Sequence, residues 1–271
     1  MTFPLDAYLN KIGLSELPGG ASGLLVLQES HMRALTFENV DPLLGRVPRL
    51  DPDGLCTKFL TNGRGGYCFE HNALFGMALR ALGYAPQTVL CRVRNGASQG
   101  GARTHQAFIV EAEGARWLAD TGFGGHGALQ PLALDEAGPQ NAPNGCYRLV
   151  QDPAAGETVL ERHAGDGWVS LYGFDGHPVR NVDLEAANFL CARWDGAPFS
   201  ANLMLALHAA EGRRAMFNRA LTIGAPPETE TRVIETEAAF AEVLRGMFRL
   251  NLSDGDIGQI WDRIKDGPTR R

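Results

Sequence analysis

The stretch Gly63–Asn72, GRGGYCFEHN, sets one cysteine between a Gly-Gly pair and a run of helical periodicity. In its continuation, FEHNALFGMALRALGYAP, Phe75, Ala78, Leu79 and Leu82 recur at helical spacing, and Gly83 and Pro86 end the pattern. Cys68 is therefore expected at a helix start. Free N–H groups and the positive dipole end there would lower its thiol pKa from ~8.5. Gly65 and Gly66 are expected to let the chain turn sharply and come close to a ligand. A cysteine taken at random is more often inert packing, and Cys91, on the apolar run TVLCRV, reads that way.

Upstream of this stretch the texture is helical. PLDAYLNKIGL carries Leu5, Tyr8 and Leu9 at helical spacing, and ASGLLVLQESHMRALTF puts Leu24, Leu27, His31 and Leu35 on one stripe. Downstream, from Gln87, the period falls to two. TVLCRV, HQAFIVEA, ARWLAD, CYRLVQ, TVLERH and WVSLYGF read as short strands between turn residues, as in a small barrel or sandwich. The last third mixes types. RRAMFNRALTIG and TRVIETE read as strands, AAFAEVLRGMF and GDIGQIWDRIK as helices, and FSANLMLALHAAE fits either. The expected class is α+β in three parts: residues 1–86 helical with Cys68, 87–190 a small barrel or sandwich, and 191–271 mixed.

Composition narrows the function. The 271 residues carry a formal net charge of −6, which argues against nucleic acid as the main partner. The opening MTFPLDAYLN has no charged segment followed by an apolar one, so no signal peptide is expected, and no apolar run is long enough to span a bilayer. Five cysteines without a CxxC pair fit a reducing cytoplasm and speak against a disulfide framework or a structural zinc site.

A nucleophilic cysteine needs a base. His71, one helical turn from Cys68, shares its face without being aimed at it. His31 reads as a core residue, His163 and His177 as solvated, and His126 and His208 have no fixed carboxylate nearby, with His208 in a mobile-looking segment. His105 has one. HQAFIVEAEGARWLAD reads as a hairpin turning near Ala112–Gly114. A turn centred between Ala112 and Glu113 sets His105 opposite Asp120, and a centre one residue later makes them diagonal neighbours on one face, ~4.5–8 Å apart in either case. A centre on Glu113 would place them on opposite faces. An aspartate on the far nitrogen fixes the imidazole tautomer and stabilises imidazolium, the form that pairs with thiolate.

RGGYCFEHN, THQAFIV and LADTGFGG resemble the three signature blocks of the arylamine N-acetyltransferases. YLNKIG, LTFENVDPLLG, SANLMLA, NRALTI and FRLNLSDGDIGQIW extend the likeness, in order, over essentially the whole chain. The resemblance implies a helical domain, a β-barrel and an α/β lid around a cysteine-protease-like triad. Cys68 would be the acyl-accepting nucleophile, His105 its base and Asp120 the orienting carboxylate, with acetyl-coenzyme A as co-substrate and no permanently bound cofactor or metal. It also implies Phe37, Val93, Phe123 and Gly124 around the acceptor, and an Arg64–Glu38 ion pair bracing the cysteine loop. The glycine-rich RNGASQGGART would lie over the coenzyme, through Arg94, Gly100, Gly101, Arg103 and Thr104. Thr121 stands where valine is common in the family, a change expected to alter packing more than chemistry, and the approach to Asn202 is less typical. GFGGHG imitates a dinucleotide fingerprint but opens no helix.

The implied reaction is transfer of an acetyl group to arylamines, arylhydrazines or N-hydroxyarylamines in the cytoplasm. Two other enzymes use the same equipment: an amide synthase of this fold closing a macrolactam, and a thiol peptidase, whose C-G-S-C-W type signature is missing here. A binding module with a decayed triad is disfavoured, since all three residues are present.

Overall fold

The structure, a computed structural model, describes residues 3–225 and 228–269. The outermost residues of the expected first and last parts lie outside that range. The helical part begins with α1 (Leu5–Lys11) and α2 (Gly20–Ala34). The two-residue strand β1 (Phe37–Glu38) leads to the short helices α3 (Val40–Leu43) and α4 (Pro52–Cys56). A π-helical turn, Thr57–Thr61, then precedes α5 (Cys68–Ala81). Leu24 and Leu27 of α2 meet Leu74, Phe75, Ala78 and Leu79 of α5 in one buried cluster with Tyr8. Each such leucine or phenylalanine contributes ~1.5–3 kcal/mol by leaving water. The first turn of α5 is buried all round, Glu70, His71 and Asn72 included, because α5 is the central helix of this part.

Eight antiparallel strands follow: β2 (Gln87–Val93), β3 (Arg103–Ala112), β4 (Ala115–Ala119), β5 (Leu132–Ala133), β6 (Gln140–Ala142), β7 (Gly145–Asp152), β8 (Glu157–Ala164) and β9 (Gly167–Phe174). Their order is β5-β4-β3-β2-β9-β8-β7-β6. The sheet curls until its two edges meet. There the Gln140 side chain exchanges two 2.8 Å hydrogen bonds with the backbone of Ala133, standing in for a strand pairing. Val89, Leu118, Leu160 and Tyr172 fill the interior. This is the expected barrel.

Helix α6 (Asn181–Arg193) crosses the expected boundary at residue 190. The rest is a sheet of β10 (Met204–Ala209), β11 (Gly212–Phe217), β12 (Ala220–Ala225) and β13 (Glu228–Val233), backed by α7 (Glu237–Glu242), a second π-helical turn and α8 (Asp254–Ile264). FSANLMLALHAAE resolves as strand β10, and His208, expected in a mobile segment, is buried on it. Strand β1 pairs with β10, Phe37 opposite Ala206, so the first part supplies an edge of the last part's sheet. Among the described residues no helix is long and apolar enough to cross a membrane.

Candidate active site

Cys68 is the first residue of α5. Gly65 and Gly66 lead to it with backbone approach as their reason, rather than a sharp turn toward a ligand. A Cβ on Gly65 would lie 1.8 Å from the Thr36 carbonyl oxygen, because β1 runs directly alongside. Glu38 N–H donates to the Gly66 carbonyl at 2.7 Å. Beneath the loop, Arg64 grips Glu38 at 2.6 Å, the expected ion pair. Lys58 adds 2.6 Å bonds to Asp41 and Glu70, and Glu70 in turn accepts the Tyr67 N–H at 3.1 Å. Burial, opposed by Lys58, pushes the Glu70 carboxyl up to about 7.

His105 and Asp120 come together as the sequence predicts. Ala112 pairs with Ala115, and Glu113 and Gly114 both take positive φ, the requirement of a two-residue hairpin turn. This is the later of the two permissive registers, with His105 and Asp120 diagonal on one face. His105 Nε2 lies 2.7 Å from Asp120 Oδ2. Burial raises the Asp120 carboxyl, but His105, Asn72 and the Gly122 N–H outweigh it and hold the pKa below its ordinary value. The carboxylate can only accept, so the proton sits on Nε2 and leaves Nδ1 as the free base. Phe123 and Tyr172 pack on the imidazole, with centroids 5.3 and 4.9 Å away.

Asn72, one turn beyond Cys68, ties the nucleophile helix to this hairpin. Its Nδ2 donates to the Gln106 carbonyl at 2.6 Å and to Asp120 at 3.0 Å, while its Oδ1 accepts the Thr121 N–H at 3.1 Å. The Thr121 hydroxyl also donates to it at 3.3 Å, so the threonine adds a polar contact and does more than alter packing. Gln28 accepts the Asp120 N–H at 2.9 Å from α2. Neither amide carries a sequence signal of its own; helical spacing from Cys68 is the one clue to Asn72.

His71 is committed elsewhere. Its Nε2 faces the Thr36 carbonyl at 3.1 Å, its Nδ1 faces His31 Nε2 at 2.8 Å, and His31 Nδ1 meets the Tyr8 hydroxyl at 2.8 Å. A carbonyl only accepts, so Tyr8 donates to His31 and His31 to His71, with both rings neutral. Burial pushes the His71 pKa down to about 4.

Cys68, His105 and Thr104 line a cavity of about 540 Å³ together with Phe37, Val93, Phe123 and Gly124. Phe199, Met204 and Phe217 complete its apolar wall from the far side, and the sequence marks none of these three. The glycine-rich segment contributes less than expected. Arg94 is held by Glu157 at 2.7 Å and Asp152 at 2.9 Å, and Arg103 pairs with Asp175, so both guanidiniums already hold carboxylates. A Cβ on Gly100 would lie 2.4 Å from that of Arg92, and the Gly101 carbonyl accepts from the Arg92 guanidinium at 2.7 Å. Gly100 therefore serves the loop's own packing, whereas a Cβ on Gly101 would meet nothing within 4 Å. Only Val93, Asn95 and Thr104 of this region reach the cavity.

The Cys68 thiol donates to the Thr104 carbonyl, with sulfur and oxygen 3.7 Å apart. The register of β2 against β3 slips between Cys91 and Arg92, leaving Thr104 as the extra residue of a β-bulge, which turns that carbonyl out of the ladder. Burial pushes the Cys68 pKa up, neighbouring Cys191 and Asp120 add to this, and the Phe69 N–H offsets part. The expected lowering by the helix start is outweighed by desolvation, because Cys68 is 5% exposed.

Residues 22–257 match the family profile described as N-acetyltransferase. The Salmonella typhimurium arylamine N-acetyltransferase / N-hydroxyarylamine O-acetyltransferase is 36% identical over 215 residues, covering 78% of this chain and 75% of that protein. The Mycolicibacterium smegmatis arylamine N-acetyltransferase is 32% identical over 262 residues, 94% of each chain. The structure of Mycobacterium marinum arylamine N-acetyltransferase in complex with CoA superposes with a TM-score of 0.90 at 31% identity, covering 96% of this chain and 99% of that one.

Proposed function

The chain belongs to the arylamine N-acetyltransferase family, and we propose that it moves an acetyl group from acetyl-coenzyme A to an aromatic nitrogen nucleophile through a thioester on Cys68. The observation that carries the residue roles is the convergence of a helix-start cysteine and a tautomer-fixed His105–Asp120 pair on one apolar cavity. A lone thiolate is disfavoured in so buried a place, so the anion forms as its proton passes to His105 Nδ1. Asp120 then balances the imidazolium. The sulfur attacks the acetyl carbonyl, one thioester replaces another, and the coenzyme leaves as the free thiol, taking the proton from His105. A neutral arylamine, arylhydrazine or N-hydroxyarylamine next attacks the acetyl-enzyme, with His105 accepting the proton as the new bond forms.

The cavity supports an aromatic acceptor between Phe37, Phe123 and Phe199, with Val93 and Gly124 beside them. The coenzyme enters past Thr104. Its phosphates are read toward the end where Arg213 and His126 border both this cavity and a second of about 280 Å³ lined by Arg33 and Arg162. Arg213 and His126 border the cavity and Arg94 and Arg103 do not, which favours this end over the glycine-rich segment. The net charge of −6 and the free cysteines fit a cytoplasmic protein working on small molecules.

Intact mass after mixing with acetyl-coenzyme A alone tests the reading. One acetyl group should appear on Cys68, be absent in Cys68→Ala, and be discharged by an aromatic amine or hydrazine, with parallel double-reciprocal lines. Rapid hydrolysis without amine, or intersecting lines, would overturn the mechanism. An adduct that no aryl nucleophile discharges would move the assignment to amide synthesis.

A further inference from the structure

The carbonyl that receives the Cys68 thiol receives a second one. Cys191, near the end of α6, sets its Sγ 3.5 Å from the Thr104 oxygen, on the acceptor that Cys68 meets at 3.7 Å. Both sulfurs belong to one apolar cluster with Tyr67, Phe69, Leu90 and Ala187. The other three cysteines lie apart from it: Cys91 is in the barrel core, Cys56 ends α4, and Cys146 is on β7. Access is asymmetric. Cys68 lines the cavity and Cys191 does not, so a reagent entering from solvent meets Cys68 first and finds Cys191 behind it. Acyl transfer has no use for the second thiol.

We propose that Cys191 is a resolving thiol, which captures Cys68 after oxidation and stores it as a reversible Cys68–Cys191 disulfide. The inference rests on Cys68 being the nucleophile. A peroxide, the oxidant required, transfers one oxygen to the Cys68 sulfur, giving the sulfenic acid and releasing water or an alcohol. The Cys191 sulfur attacks that sulfenic sulfur and the S–O bond breaks. The departing hydroxide takes the Cys191 proton and leaves as water. Two thiols lose two electrons in all, and a dithiol reductant returns them by exchange. A disulfide needs the sulfurs ~2.05 Å apart, so at least one side chain must swing off the Thr104 carbonyl. Cys191 sits in the last turn of its helix, three residues before the extended Trp194 that ends it. Burial pushes both thiols up, Cys191 to about 12, and the first oxidation falls to Cys68 because it alone lines the cavity, with His105 there to take its proton. Without the partner, the sulfenic acid would go on to sulfinic acid, and the enzyme would be lost.

The experiment uses the full chain with hydrogen peroxide as the probe. Acetyl loading of the reduced protein is measured first, by intact mass. After peroxide, wild type should lose two hydrogens in mass and yield a Cys68–Cys191 peptide on non-reducing digestion. Dithiothreitol should restore nearly all its activity. Cys191→Ala and Cys191→Ser should instead retain a dimedone-reactive Cys68, proceed to sulfinic acid and recover little. Wild type preloaded with acetyl-coenzyme A should resist, because the sulfur is already acylated. If the variants fold poorly, the wild-type digest still decides. A Cys68 that takes acetyl but never links to Cys191, or equal recovery in wild type and variants, overturns the inference and leaves the acyl-transfer reading standing. Failure to load acetyl at all removes the premise, and the inference with it.

Discussion

Replacing Gly122 by alanine asks how tightly the nucleophile is held against its base. A Cβ built there lies 2.5 Å from Asn72 Nδ2, 2.6 Å from the Cys68 carbonyl oxygen and 2.8 Å from Cys68 Cα. Ordinary contact starts at 3.4 Å, and two of the three obstructing atoms are backbone. The segments must therefore part by about 0.6 Å at Cys68 Cα and about 0.9 Å at the Asn72 amide, because a close-packed interior offers no slack. The displacement falls between α5, carrying Cys68, and the hairpin carrying His105 and Asp120. A misplacement near 1 Å costs ~10²-fold in rate, while overpacking costs ~1–3 kcal/mol of stability, too little to unfold most domains of this size. The assay is single-turnover release of coenzyme A as Cys68 takes the acetyl group. Gly176→Ala, with nothing within 4 Å of its new methyl, is the control and should load normally. A Gly122→Ala protein that melts and loads like wild type would refute the reasoning, since it would show the contact to be free to relax.

Two further outcomes follow from the same geometry. Asp120→Asn keeps the shape but can present the wrong imidazole tautomer, so kcat should fall by ~10⁴ with the fold intact; steady-state turnover near the wild-type rate would break the assigned triad. His208 is pushed down to about 3 by burial, with Arg213 and Arg33 adding to it. The unfolded chain therefore binds a proton below about 6.5 that the folded chain refuses until pH 3, and stability falls as pH drops through that window. In urea titrations between pH 5 and 6, His208→Asn should show a slope shallower by ~1.4 kcal/mol per pH unit, and an unchanged slope would count against it.

Local chemistry made much of this molecule legible. Period-two runs gave the long barrel strands, and a hairpin turning near Ala112–Gly114 brings His105 to Asp120 in two of its three possible registers, of which the structure takes the later. What stayed hidden depends on distant contacts. Helix α6 escaped because Val182 and Phe189 face solvent, which blurs its apolar stripe. Strands β5 and β6 are too short to carry a period, and their meeting depends on one Gln140 side chain. Arg94 and Arg103 looked ready for phosphate because Asp152, Glu157 and Asp175 lie dozens of residues away in sequence. The Cys68 pKa runs against the helix-start expectation for a related reason: a helix start can be read from sequence, whereas the depth at which the fold buries it cannot.

Strand β1 has a mechanical consequence out of proportion to its two residues. On one side Phe37 and Glu38 are stitched to Ala206 and Leu205 of the C-terminal sheet, and on the other Glu38 is fastened to Gly66 of the cysteine loop. A hinged flap needs a compliant seam, and here the seam is riveted to the part it would have to leave. The C-terminal part is better pictured as a fixed wall than as a door. Selection among acceptors then belongs to the standing shape of the chamber and the width of its mouth, and the enzyme behaves as a mould that molecules must fit on arrival.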